Sequence, residues 1–243
     1  MRKFIVILFV IPIFISLSCQ DDSNPASTNT INGSGTLITT APSLPAFNSV
    51  IMAAFGTVEI TMGASQAVSI TVDDNILEHL EYEVDHGILT ISPMPDANIS
   101  NYDLTVELAM TDLESVTLSG IGNIISTNAI EESSVEANLT GIGNIILTLN
   151  VDQFNSILTG IGNVIPSGTA ARHHCIHSGT GNMSGFDLIT DTTSIILSGT
   201  GNSQVYVSDY LSINLTGTGS VYYKGRPSMN IVVTGIGNII DAN

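Results

Sequence analysis

The residues with the most chemical capability in this chain sit side by side at His173-His174-Cys175-Ile176-His177. On an extended segment His173, Cys175 and His177 share one face, and imidazole with thiolate is a ligand set suited to zinc or copper. Three ligands carried on one strand converge badly, so they are read as small polar substitutions in a core, with His177 neutral and hydrogen-bonded. No metal is assigned. The tight acidic pairs are Asp73-Asp74, Asp112-x-Glu114 and Glu131-Glu132, and each is expected in a turn or flank where charge stays solvated. Acid–base catalysis needs an acid, a base and a nucleophile in reach of one another. Nothing in the spacing brings them together, and Arg172 is the sole arginine of the central array. No catalytic residue, enzyme activity or cofactor is assigned.

The elements that must position these residues are repeats. A hydroxyl residue, Gly, Ile or Thr, Gly, then Asn or once Ser, recurs from Ser119, Thr140, Thr159, Ser178, Ser198, Thr216 and Thr234, at spacings of 21, 19, 19, 20, 18 and 18 residues. A unit this short cannot bury its own apolar face, so the copies must stack as a solenoid. The residues one before the hydroxyl are Leu118, Leu139, Leu158, His177, Leu197, Leu215 and Val233. Those three before it are Val116, Ala137, Ser156, Cys175, Ile195, Ile213 and Ile231. Both columns are expected to point inward, with the mixed column from Thr117 to Val232 pointing out, a period of two that argues for strands. The His-Cys-His face therefore points into the core, where an ion would displace packing worth about 1.5–3 kcal/mol per large apolar residue.

Each strand is expected to end at the Gly-x-Gly corner. The corner glycines, Gly120, Gly122, Gly141, Gly143, Gly160, Gly162, Gly179, Gly181, Gly199, Gly201, Gly217, Gly219, Gly235 and Gly237, are read as structural, supplying positive φ or close approach between coils. The Asn123, Asn144, Asn163, Asn182, Asn202, Ser220 and Asn238 column is expected to form a side-chain ladder. Calcium-binding turns in repeat proteins use carboxylates, which neutral Asn replaces poorly. Ile121, Ile142, Ile161 and Ile236 make an apolar stripe suited to protein contact if they face out, and are purely structural if buried. Tyr206, Tyr210, Tyr222 and Tyr223 are the one local aromatic cluster available for sugar stacking.

The ends bound the location. Met1-Arg2-Lys3 and the apolar run Phe4–Ile15 read as a secretory signal, too short for a comfortable span. Ser16-Leu17-Ser18 before Cys19 resembles a lipobox, with Leu one place from its usual position. Residues 1–18 are assigned as signal peptide, Cys19 as the lipidated residue and 19–30 as a tether. Gln20-Asp21-Asp22 is similar to an acidic tag for the outer face of the outer membrane. The expected partner is the membrane through the lipid, with a surface protein or glycan possible beyond it. The mature chain keeps only Arg172, Lys224 and Arg226 against 22 acidic residues, a net −19, which excludes nucleic acid as a partner. With Cys19 acylated, Cys175 has no partner for a disulfide.

Before the array, Asn32-Gly33-Ser34-Gly35-Thr36 and Ala53-Ala54-Phe55-Gly56-Thr57 look like degenerate corners. Strands are expected at Val58–Met62, Val68–Val72, Leu80–Val84, Ile88–Ser92 and Leu104–Ala109, with one helical turn near residues 75–80 and a turn at Asp85-His86-Gly87. The run from Asn32 onward resembles the GIN domain family of autotransporter-adhesin head domains. The resemblance rests on Gly33-Ser-Gly35, Leu44-Pro-Ala-Phe-Asn-Ser-Val50, Val58-Glu-Ile-Thr-Met-Gly63, Val72-Asp-Asp-Asn-Ile-Leu77, Asp112-Leu-Glu-Ser-Val116, the repeated corners and Val221-Tyr-Tyr-Lys-Gly-Arg-Pro227. It implies a β-helix, surface exposure and an adhesive or scaffolding role, with no catalytic residues. Ile and Asn stand here where many relatives carry Ser and Asp, which weakens cation binding at the corners.

The fold expected is all-β, a single-stranded right-handed parallel β-helix of 18–21-residue coils spanning 31–243, irregular over 31–112 and regular over 113–243. The right hand follows from the rule for parallel crossovers. The function expected is that of a non-enzymatic outer-membrane lipoprotein at the cell surface, adhesive or partner-binding. A structural, self-assembling envelope protein is the alternative, and a pectin-lyase-like enzyme a further one.

Overall fold

The computed structural model describes residues 30–243. The signal segment, Cys19 and nearly all of the tether lie outside them. The chain is a β-solenoid of about seven turns with irregular strands at its N-terminal end. Those early strands are β1 (Ile31–Asn32), β2 (Leu37–Thr40), β3 (Ser49–Met52), β4 (Phe55–Met62), β5 (Ala67–Asp73), β6 (Leu80–Asp85), β7 (Ile88–Pro93), β8 (Ile99–Ser100) and β9 (Leu104–Met110), with one 3-10 turn at Leu77–His79. The array is β10 (Ser115–Leu118), β11 (Ile121–Leu139), β12 (Ile142–Leu158), β13 (Ile161–His177), β14 (Thr180–Leu197), β15 (Thr200–Leu215), β16 (Val221–Lys224), β17 (Ser228–Val233) and β18 (Ile239–Asp241).

Successive coils pair in parallel with their corners in register: Ile121 with Ile142, Ile142 with Ile161, Ile161 with Thr180, Thr180 with Thr200. From β10 to β15 the strand is interrupted only at the hydroxyl-Gly step, whereas the breaks after β15, β16 and β17 are longer. In β11 to β15 the second glycine and the Asn already lie inside the next strand, so the ladder resumes within the motif rather than after it. At this step two consecutive amides share one acceptor. Thr140 and Gly141 N–H both donate to the Leu118 carbonyl, at 3.0 and 2.8 Å, and Ile142 N–H donates to Gly120 O at 2.9 Å. The same three bonds recur at every corner from Ser119 to Ile236, which leaves no orphaned amide where the ladder breaks.

Both inward columns are buried from β10 to β15, with Leu118, Leu139, Leu158, His177, Leu197 and Leu215 all fully enclosed. The last coil departs from expectation. Ile231 is 41% and Val233 43% exposed, because β17 pairs only with β15 and nothing described covers its other side.

Unequal coil lengths are absorbed away from the corner. The two extra residues of the 21-residue coil bulge out between Ile125 and Ala129. There Asn128 pairs with both backbone groups of Met62, at 2.8 and 2.9 Å, and Ser126 Oγ accepts from Thr148 N–H at 2.8 Å. The bulge thus finishes the edge of β4 instead of leaving its polar groups bare.

The stack extends back past residue 113. β3 lies in register under β10, and β4 under β11, with Phe55, Gly56 and Thr57 beneath Ile121, Gly122 and Asn123. The degenerate corner at Phe55-Gly56-Thr57 is therefore a true one. Asn32–Thr36 is not. It is held instead by Asp73-Asp74-Asn75: Gly35 and Asp103 N–H donate to the Asp73 carboxylate, Ser34 Oγ to Asp74 and Ser34 N–H to Asn75 Oδ1. Asp73 is 2% exposed, so this acid is a buried clamp rather than a solvated turn residue, its charge met by backbone donors.

The corner spacing makes a testable demand. Gly143 has φ +140°, and a Cβ there would collide with the Gly122 carbonyl. Gly143→Ala is expected to destabilise by at least about 3 kcal/mol, from backbone strain and coil separation together. Gly63 has open space around its Cα, and Gly63→Ala should be close to neutral. Urea unfolding followed by circular dichroism separates the two. Equal midpoints would contradict the close-approach account.

Candidate functional site

The outward surface of the corner is built by its glycines. Because the coils touch backbone to backbone there, the flanking side chains are pushed out as two parallel rows with a trough between them. One row is the hydroxyl column, exposed from Ser119 to Thr234. Only Ser119 and Thr140 have a protein acceptor in reach, each at 3.4 Å from a carbonyl. The other row is Phe55, Ile121, Ile142 and Ile161, exposed by 49, 48, 47 and 55%, followed by Thr180, Thr200, Thr218 and Ile236. The trough along Thr159 to Ile236 encloses about 710 Å³ and is floored by glycine.

The isoleucine column therefore faces solvent. Four large apolar side chains, one per coil at the ~4.8 Å inter-strand spacing, form a ridge about 14 Å long. Behind it runs the asparagine column, half-buried. Asn144, Asn163 and Asn182 each donate from Nδ2 to the preceding Oδ1, at 2.9, 2.9 and 3.1 Å. Beyond Asn182 the ladder changes form. Asn202 and Ser220 use their backbone N–H to reach the preceding side chain, at 3.2 and 3.0 Å.

The His-Cys-His segment lies inside, as its column requires. Ser156 Oγ and His173 Nε2 are 2.8 Å apart, and the His173 ring stacks on Phe154 with centroids at 5.0 Å. His177 Nδ1 lies 3.3 Å from Ser203 Oγ, while His177 Nε2 is buried with no partner. Ser156 and Ser203 both hydrogen-bond to the Cys175 thiol, but burial dominates and pushes it up to about 12. A thiol so hard to ionise is a poor nucleophile and a poor ligand. Among the described residues no three His, Cys, Asp or Glu side chains converge on a point. The segment is a polar thread through a mainly apolar core.

Of the four tyrosines only Tyr206 and Tyr222 share an outward face, offset by two residues on neighbouring strands. Tyr223 aligns with buried Val205 and packs on the core, Tyr222 aligns with Gln204 on the other side of the strand, and Tyr210 is 43% exposed on a separate stretch. There Tyr210 joins Arg172, His174 and Gln153 around a hollow of about 220 Å³. Sequence reasoning missed this hollow, because its residues come from four coils at positions that are not columns of like residues. Lys224 is drawn off over the Phe186 ring at 4.5 Å.

The buried imidazoles make a pH prediction. Burial, with a smaller contribution from His174, holds His173 down to about 3, and burial holds His177 down to about 4. Both folded values lie below the unfolded value near 6.5, so the unfolded chain binds more protons as pH falls. Their contribution is complete above about pH 6.5 and is lost between there and pH 4 to 3. His177→Leu restores the column residue of the neighbouring coils and removes the orphaned nitrogen. It is expected to stabilise by about 1–3 kcal/mol at pH 7 and to flatten the loss between pH 6.5 and 4, read from urea midpoints across pH. An unchanged midpoint would contradict the assignment.

Comparison with known proteins agrees with this geometry. Residues 46–227 match the family described as "Putative auto-transporter adhesin, head GIN domain". The crystal structure of a "putative adhesin" from Bacteroides fragilis superposes with TM-score 0.83 at 23% identity, over 86% of this chain and 98% of that one. A "putative adhesin" from Parabacteroides distasonis gives 0.68 at 18%, over 87% and 99%. A "Putative lipid binding protein" from the same species gives 0.64 at 18%, over 87% and 100%. At these identities the likeness establishes the fold. No curated protein matches the sequence. With a family match running from the first stacked coil to β16, the chain belongs to the GIN domain family of auto-transporter adhesin heads.

Proposed function

We propose that this chain is a non-enzymatic binding module of the cell surface, anchored in the outer membrane by lipid at Cys19, which engages a protein partner along the corner ridge. The observation that carries the reading is the ridge itself. Phe55, Ile121, Ile142 and Ile161 stand about half exposed in one line on a molecule otherwise heavily acidic. A solenoid has no internal use for apolar side chains at an outward position, and Thr occupies the same column at 180, 200 and 218. A contiguous apolar line rimmed by hydroxyls is the composition of an interface core with a polar rim.

The ridge favours protein over glycan, because sugar stacking uses flat aromatic faces and three of the ridge's four large side chains are isoleucines. A non-enzymatic role is supported by the enclosure of His173, Cys175 and His177 in the core. The family's adhesin name supports a location at the cell envelope, and the lipobox-like segment before Cys19 supports the anchor.

Two measurements test the reading. A photo-crosslinking amino acid placed at Ile142 of the full chain in intact cells should yield a discrete adduct, and one at outward Asp152 should not. The triple variant Ile121→Thr, Ile142→Thr, Ile161→Thr keeps β-branched residues and should keep its unfolding midpoint while losing the adduct formed from a probe at Ser119. Protease added to unlysed cells should remove an epitope tag near the C-terminus, with a Cys19→Ala chain failing to reach the surface. Equal adducts from both faces, or a tag protected from protease, would overturn the proposal.

A further inference from the structure

The two ends of the solenoid are finished differently. At the N-terminal end one edge strand is β6, whose outward residues are Glu81, Glu83 and Asp85, all exposed. Charges on an edge strand repel another strand and guard against pairing. The β6 edge is guarded, while the short strand β2, which pairs only with β5, is four uncharged residues. At the C-terminal end β17 reads Ser-Met-Asn-Ile-Val-Val, with no charge at all. Its far edge is unpaired among the described residues. Met229, Ile231 and Val233 continue the inward column of Leu211, Ile213 and Leu215, yet they are 44, 41 and 43% exposed. The neighbouring β18 side is better sealed. Asn243 makes a reciprocal pair with Gly225, N–H to Oδ1 and Nδ2–H to O, both 2.9 Å.

We infer that β17 is a self-association edge, where a second copy of this chain pairs tail to tail and in antiparallel about a two-fold axis at Ile231. Three observations select a second copy. First, the register is self-complementary. With Ile231 opposite itself, Met229 faces Val233 and Asn230 faces Val232, so apolar inward residues meet apolar inward residues and one core continues into the next. Second, two copies of a chain with net −17 repel over most of their surface, and β17 is an edge where no like charges meet. Third, the area suffices. A last coil of 18 residues at about 3.3 Å each encloses an end face on the order of 600 Å² with its outward side chains, so two copies bury about 1,200 Å², the lower bound of stable specific interfaces. Paired main-chain groups along the edge add direction to that contact.

The contact uses the end of the rod and leaves the corner ridge free along its side, so it stands independently of the function proposed above. It presents two ridges from one assembly.

Ile231→Cys in the full chain, oxidised in intact cells, tests it. Antiparallel partners have Cα atoms about 4.5–5.5 Å apart, within disulfide range, so a species of twice the monomer mass is expected on a non-reducing gel. Ile157→Cys on an outward mid-stack position and Glu83→Cys on the guarded edge should remain monomeric. The detergent-extracted wild-type chain should be dimeric by light scattering, and Ile231→Lys monomeric with an unchanged protease-resistant core. The inference is overturned if Ile231→Cys crosslinks no more than Ile157→Cys, if co-expressed Ile231→Cys and Glu83→Cys chains link to each other, or if Ile231→Lys remains dimeric.

Discussion

The contact on which this molecule depends is the one between the backbone of one corner and the backbone of the next. At Gly122, Gly143, Gly162, Gly181 and Gly201 the chain takes φ between +140° and +147°, with the carbonyl of the coil below directly against the Cα. Neither condition admits a side chain. Glycine is thus imposed twice at each corner, once by conformation and once by space, and the three hydrogen bonds of the hydroxyl-Gly-x step fix each corner over the last. Because the corner is invariant in geometry, length differences between coils are pushed into bulges elsewhere, as at residues 126–128.

The same contact shapes the surface. A corner without side chains on its floor leaves the residues beside it standing as rows, which is how a structural constraint creates a ridge and a trough. The interior tolerates more variation. One coil carries His173, Cys175 and His177 where its neighbours carry mostly apolar residues, with Ser156 beside His173 Nε2 and Ser203 beside His177 Nδ1, and His177 Nε2 left buried without a partner. A core built of near-identical layers can absorb one polar layer because adjacent layers supply both its partners and its packing.

Much of this was legible from the repeats. Stacking, inward columns, the inward His-Cys-His face and the first half of the asparagine ladder follow from spacing and a period of two. Exposure of Ile121, Ile142 and Ile161 does not, because x in Gly-x-Gly is apolar whether it packs or protrudes, and only the coil-to-coil distance decides. The switch of the ladder after Asn182 is equally silent in sequence. Asn32–Thr36 imitates a corner in residue type, but its glycines serve the Asp73 clamp, and burial of that aspartate depends on backbone donors from Gly35 and Asp103, far apart in the chain. Tyr222 and Tyr223 are adjacent in sequence and for that reason face opposite ways on a strand. Val233 belongs to the inward column by pattern, while its exposure is set by the layer that would follow it.

Native-state hydrogen exchange of the corner amides tests the central claim most directly. If backbone contact at the corners holds the stack, the amides of Gly141, Gly160, Gly179 and Gly199 should exchange only through global unfolding, with the same protection as Ile145 and Val164 in the core, although their neighbours' side chains are in solvent. Exchange of those glycine amides through local opening, orders of magnitude faster than the core, would show that the corners merely follow the core and would contradict the account.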